Sequence, residues 1–314
     1  MQEQPSATWG DALTHGGTSV MERSAGSRLP DFIIIGAMKA GTTSLFHYLR
    51  AHPEIFMSPL KEVDFFAEEV NWGRGLDWYK RQFASAPAEA RALGEASTVY
   101  TKYPHYGGVP QRIADVIPEA KLIYVVRDPI TRIRSHYQHR VSVGAETTPM
   151  EEALFSNPIY LDYSRYALQL DRYAEWFPRE QILVITSEDL RDDRLSTVSS
   201  AFSFLGVDDN FVPSTLDTEF YRSQERATFS PAAWKLRRFV RRHVPASKRA
   251  KEFVDSRLPR LARKLVGRRP DTSVSEARIV IPEDLRRRLA DELAEDVRRL
   301  RAYLPAGFDG WGIG

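Results

Sequence analysis

Residues 31–53, DFIIIGAMKAGTTSLFHYLRAHP, hold the densest chemistry in the chain. An apolar run ends at Gly36, a second glycine stands at Gly41, and Thr42, Thr43 and Ser44 open a helical pattern that stops before Pro53. Glycines let a turn bring backbone N–H groups close to a ligand, a helix N-terminus adds partial positive charge, and hydroxyls add donors. Lys39, Ala40, Gly41, Thr42, Thr43 and Ser44 therefore read as a phosphate cradle. In the loop that grips nucleoside triphosphates, G-x-x-x-x-G-K-[ST], the lysine follows the second glycine. Thr42 occupies that position here, and Lys39 lies inside the loop, which points to a shorter phosphate chain met from the crest. A P-loop nucleotide kinase or NTPase is the alternative, disfavoured by that displacement.

A second constellation is YVVRDPITRIRSHYQH, residues 124–139. Arg127 follows an apolar run, Asp128 is suited to cap a helix and Pro129 to its first turn, so Arg127 emerges at the carboxyl edge of a sheet. Open α/β sheets bind ligands at that edge. Ser135 lies on the helix that follows and can donate to the oxyanion that Arg127 meets. Two anion sites together imply a nucleotide with phosphate at both ends of its ribose.

The elements that must position these residues are short apolar runs, FIII (32–35), LIYVV (122–126) and ILVI (182–185), alternating with helical spacing over 42–50, 129–141 and 165–177. Continuous apolar runs suit strands buried on both faces, so the expectation is an α/β fold with a parallel sheet flanked by helices. The chain has 314 residues, 42% hydrophobic and 27% charged, with a net charge of +2 and no cysteine. Disulfide scaffolds, cysteine-ligated metals and thiol nucleophiles are thereby excluded. Residues 1–29, rich in Gly, Ser and Thr, read as a flexible tail without the apolar run of a secretory signal. No run approaches a membrane span, and a soluble, cytoplasmic protein is expected. No metal cluster motif is present, and no metal is expected.

The chain resembles the PAPS-dependent sulfotransferases, in particular the branch shared by heparan-type glycan enzymes and many bacterial ones. The resemblance rests on GAMKAGTTSL (36–45) and VVRDPITRIRSHY (125–137), and continues through KEVDFF (61–66), GLDWYKRQF (75–83), GEASTVY (94–100), the stretch 165–190 and FLGV (204–207). It implies a P-loop NTPase-like sulfotransferase fold over residues 30–314. The implied reaction is transfer of a sulfuryl group from 3'-phosphoadenylyl sulfate (PAPS) to a hydroxyl of a glycan, lipid or small molecule, releasing 3'-phosphoadenosine 5'-phosphate. By that resemblance Lys39 stabilises the leaving phosphate, residues 41–44 cradle the 5'-phosphosulfate, Arg127 and Ser135 meet the 3'-phosphate, and Glu62 is the general base. A base needs a suitable pKa, so Val63, Phe65 and Phe66 are expected to bury Glu62 in part.

The family's second catalytic lysine falls at Ala96 here, leaving Lys61, Lys102 or His105 as replacements. The late basic loop that closes over the 3'-phosphate has Arg278, and more weakly Tyr221, as candidates. Residues 222–269 carry sixteen Lys and Arg against three Asp and Glu, with apolar residues at helical steps. Three readings stand: a lid over an anionic substrate, a patch on an anionic membrane surface, or a solvated helical face. Specific nucleic-acid binding is not expected, since aromatic residues do not interleave the basic stripe. A noncatalytic anion- or membrane-binding module is a further alternative.

Overall fold

The computed structural model describes residues 28–218, Phe220 and 280–314. Tyr221, Arg278, most of the N-terminal stretch and the whole basic segment 222–269 lie outside the described residues.

Five strands form one sheet: β1 (Phe32–Gly36), β2 (Ile55–Met57), β3 (Ala92–Ala96), β4 (Lys121–Val126) and β5 (Ile182–Thr186). Their order is β2-β3-β1-β4-β5, and every neighbouring pair is parallel. Central strand β1 pairs Ile34 with Ala96 of β3 on one side and Phe32 with Lys121 of β4 on the other. Its FIIIG run is buried throughout, as a strand covered by helices on both faces requires. The three strands expected from apolar runs are present. Strands β2 and β3 carry no such run, because β2 is only three residues long and β3, ALGEA, carries a glycine and a carboxylate.

The described helices are α1 (Thr42–Arg50), α2 (Leu76–Lys80), α3 (Val109–Val116), α4 (Pro129–Ser142), α5 (Met150–Ser156), α6 (Ile159–Asp162), α7 (Tyr166–Ala174), α8 (Asp189–Asp192), α9 (Arg194–Leu205) and α10 (Glu283–Leu300). Helix α1 spans the residues expected of it. Helix α7 is shorter than its apolar spacing over 165–177 predicts, and α10 ends at Leu300 in a 3-10 turn, Arg301–Tyr303. Among the described residues no helix is long and apolar enough to cross a membrane.

One core cluster lies around the sheet and its covering helices. A second packs α4, α5 and α6 against α10, whose Leu285, Leu289, Leu293 and Val297 recur at helical spacing and are fully buried. Asp296, on the same helix, accepts the backbone N–H groups of Ala167 (3.0 Å) and Leu168 (2.9 Å), so α10 caps the first turn of α7 with a carboxylate.

Candidate active site

The carboxyl ends of β1, β3 and β4 lie side by side, and each delivers one part of the site. Beyond β1, the loop from Gly36 to Gly41 turns back onto β4 through the Ala37 N–H, which donates to Val125 O at 2.7 Å. Gly36 is required by space: a Cβ there would stand 2.0 Å from Thr101 Oγ1 and 3.1 Å from the Tyr124 ring. Gly41 is required by conformation, with φ 101° at the N-cap of α1 and no side chain to cap it. The Ser44 N–H donates to Gly41 O at 3.0 Å, and the N–H groups of a helix's first turn that lack an intrahelical acceptor are suited to an anion. Lys39 also takes a left-handed backbone, φ 74°, which costs a lysine what it would not cost a glycine.

Thr42 and Ala40 are buried under the loop. Ser44 turns its hydroxyl to the Phe220 carbonyl at 3.1 Å, so its side chain ties α1 to the segment after α9. Met38 is part-buried and Met57 is in the core.

Beyond β4, Asp128 caps α4 as its sequence position predicts, Oδ1 accepting from Ile130 N (2.9 Å) and Thr131 N (3.1 Å). Arg127 is thereby aimed at the neighbouring loop, where its Nη1 donates to the Lys39 carbonyl at 3.3 Å. The loop after β1 and the arginine after β4, each expected from sequence to meet an anion, are thus joined directly. Ser135 lies two turns along α4, is 8% exposed, and its Oγ is buried with no hydrogen-bond partner among the described residues. A buried unsatisfied hydroxyl is costly, and it suits an oxygen-rich ligand.

Glu62 reaches the edge of β3. Its N–H donates to Ala96 O at 2.8 Å, and its Oε2 accepts from Thr98 N at 2.8 Å and Thr98 Oγ1 at 3.0 Å. Its Oε1 pairs with Lys61 Nζ at 2.5 Å. Val63, Phe65 and Phe66 are buried beside it, as expected. Its carboxyl is nonetheless not raised. Burial pushes the carboxyl up, but the charge and hydrogen bond of Lys61 and the two Thr98 bonds outweigh it and hold it below the ordinary carboxylate range. Glu62 is an ionised carboxylate at neutral pH.

Of the three replacements for the missing second lysine, Lys61 is engaged with Glu62, and His105 is exposed, edge-on to Tyr163 at 5.3 Å. Lys102 lies over the same Tyr163 ring at 5.7 Å. Burial lowers its pKa, while the charges of Glu62 and Asp64 oppose that shift, so it belongs to the same charged cluster. Ala96 itself is fully buried.

Sequence reasoning missed several groups here. Asp64, with φ 53°, has its carboxyl raised to about 6 by burial and by the charge of Glu62. Thr98 supplies two of the bonds that hold Glu62. Glu95, on β3, is fully buried. All three lie in KEVDFF and GEASTVY, whose charges and hydroxyls were visible but whose pairing across about 30 residues was not.

A parallel sheet with a strand, a glycine-bracketed loop and a helix at its carboxyl edge, beside an arginine from the next strand, defines a P-loop-like fold. The family model described as "Sulfotransferase domain" matches residues 29–249, and the chain belongs to that family. It is an enzyme class that transfers sulfate. The chain is 33% identical over 203 residues to the human bifunctional heparan sulfate N-deacetylase/N-sulfotransferase 3, covering 57% of this chain and 22% of that protein. It is 31% identical over 228 residues to the human heparan sulfate glucosamine 3-O-sulfotransferase 3A1, covering 66% of this chain and 54% of that one. It thus spans only part of the length of these relatives. The crystal structure of a sulfotransferase from Alicyclobacillus acidocaldarius superposes with a TM-score of 0.64 at 28% identity, covering 91% of this chain and 99% of that one.

Proposed function

We propose that this sulfotransferase takes its sulfuryl group from PAPS and passes it to a hydroxyl of an acceptor, with Glu62 as general base. The observation that carries the reading is the Arg127 to Lys39 carbonyl bond, 3.3 Å, which joins the two anion-binding elements at one sheet edge. The residues fit the donor. The loop and the N-terminus of α1 hold the 5' end, with Lys39, Gly41, Thr42 and Thr43 around it, and Arg127 with the unpartnered Ser135 hydroxyl holds the 3'-phosphate. PAPS supplies an activated sulfuryl group on a phosphate leaving group.

Glu62, ionised and held by Thr98, takes the proton of the acceptor hydroxyl as its oxygen bonds to sulfur and the bond from sulfur to the phosphate oxygen breaks. Lys39 stabilises the charge left on that phosphate. The N-deacetylase/N-sulfotransferase and 3-O-sulfotransferase relatives support an acceptor of carbohydrate type, and a secondary metabolite fits the same chemistry. An anionic membrane or lid role for 222–269 remains part of the proposal on sequence grounds alone.

Calorimetric titration with 3'-phosphoadenosine 5'-phosphate tests the donor site without knowledge of the acceptor. Micromolar binding, lost in Lys39→Ala and Arg127→Ala and not matched by ATP with Mg²⁺, is expected. Preference for ATP would return the loop to the kinase and NTPase class.

A further inference from the structure

The mechanism leaves one buried acid unused. Glu95 is 0% exposed on β3, at the register position opposite Ile33 of β1. Its Oε1 accepts from Tyr79 OH at 2.8 Å and Tyr100 OH at 2.9 Å, and its Oε2 accepts from Ser97 Oγ at 2.7 Å. All three partners are hydroxyls, each with a single proton, and each proton is directed at the carboxylate.

Two of those hydroxyls have a second duty. Ser97 Oγ accepts the backbone N–H of Asp64 at 2.9 Å, and Tyr100 OH accepts that of Phe66 at 3.3 Å. The stretch they hold is the one that carries Glu62, and both Glu62 and Asp64 stand in left-handed backbone, φ 62° and 53°. Such geometry persists in non-glycine residues only where the surroundings impose it. The ionised Glu95 carboxylate orients the Ser97 and Tyr100 protons inward, which frees their lone pairs for the Asp64 and Phe66 amides. A protonated Glu95 donates its own hydrogen, on Oε2 to Ser97 or on Oε1 to Tyr100 or Tyr79, and a Ser97 or Tyr100 hydroxyl that receives it turns its own proton away and shares its lone pairs between the acid and the amide.

We propose that Glu95 is a proton-linked positioning residue: ionised, it orders Ser97 and Tyr100 so that the Glu62 to Phe66 segment is held in place, and protonated, it releases that hold. This rests on the reading of Glu62 as the base. Burial raises Glu95 to about 7, against the lowering effect of the Ser97, Tyr79 and Tyr100 bonds and with a smaller push from the charge of Asp64. Among the described residues Tyr173 of α7 also faces it, its phenol raised by burial and further by the charge of Glu95.

Amide hydrogen exchange of the full chain, corrected for intrinsic rates, reads the device directly and needs no acceptor. Between about pH 8 and about pH 6, bracketing the Glu95 titration, protection of the Asp64 and Phe66 amides falls about tenfold, the worth of one hydrogen bond. Glu95→Gln, whose amide must donate where the protonated acid would, shows the low protection at both pH values. Asp64→Asn, lacking the charge that pushes Glu95 up, keeps the transition at a lower midpoint. Turnover with PAPS follows the same limb, while the Kd for 3'-phosphoadenosine 5'-phosphate is the same in wild type and Glu95→Gln. Protection that is independent of pH in the wild type, or wild-type protection in Glu95→Gln at high pH, overturns the proposal. If Glu95→Gln does not fold, Ser97→Ala carries the test: Asp64 loses protection at both pH values while Phe66 still responds, and unchanged Asp64 protection overturns it. Loss of the PAPS reading shows separately, as a wild type that does not bind the bisphosphate.

Discussion

Glu62 and Thr98 form a two-point clasp: one carboxylate oxygen of Glu62 takes both the amide (2.8 Å) and the hydroxyl (3.0 Å) of Thr98. The clasp crosses from the loop after β2 to the turn after β3. It fixes the carboxylate at the sheet edge where the glycine-bracketed loop after β1 begins one strand away.

That clasp predicts how the base responds to substitution and pH. Glu62→Gln lowers kcat by about 100- to 10,000-fold with bisphosphate affinity unchanged. Thr98→Val keeps the amide and removes the hydroxyl, so the Glu62 pKa rises, read by carboxyl NMR titration. Because the folded-state pKa lies below the ordinary 4.5, the stability that Glu62 contributes is present at neutral pH and is lost as pH falls through its folded value. An unmoved titration in Thr98→Val would show that the amide and Lys61 suffice.

Ser135 separates stability from binding. Among the described residues its buried Oγ has no partner, so Ser135→Ala is expected to leave Tm unchanged or raised while bisphosphate affinity falls about tenfold. Equal affinity in the variant would remove Ser135 from the donor site.

Gly36→Ala forces a Cβ to within 2.0 Å of Thr101 Oγ1, which itself donates to Ile35 O at 3.1 Å. A loss of about 1–3 kcal/mol in urea unfolding is expected. Adding Thr101→Ala recovers part of it, since the closest atom is then gone, and purely additive losses would place the strain elsewhere.

Asp296 ties the C-terminal helix to the body of the fold. Asp296→Ala removes the acceptor for two α7 amides and costs about 1–2 kcal/mol. Burial raises its pKa from 3.8 to about 6, so the folded state binds the proton more tightly than the unfolded chain. Its contribution to stability therefore falls as pH rises from 3.8 to about 6, and Asp296→Asn flattens that slope in a pH series of thermal melts.

Much of the site was legible because it is local. The glycine spacing, Lys39 within the loop, the Asp128 cap and Arg127 after β4 follow from residues within one strand, loop and helix, where backbone sterics and capping chemistry act over a few positions. The apolar runs of β1, β4 and β5 were equally plain, since burial on both faces demands them. Only the tertiary structure decided what these parts touch. Parallel strands are paired through long crossovers, so nothing local tells that Arg127 meets Lys39, that Thr98 clasps Glu62, or that Ser97 and Tyr100 hang the Glu62 segment from Glu95. The acidity of Glu62 shows the same division. Its apolar neighbours in sequence predict a raised pKa, and its hydrogen-bond partners in space set a lowered one, because charge-assisted bonds at about 3 Å outweigh partial burial.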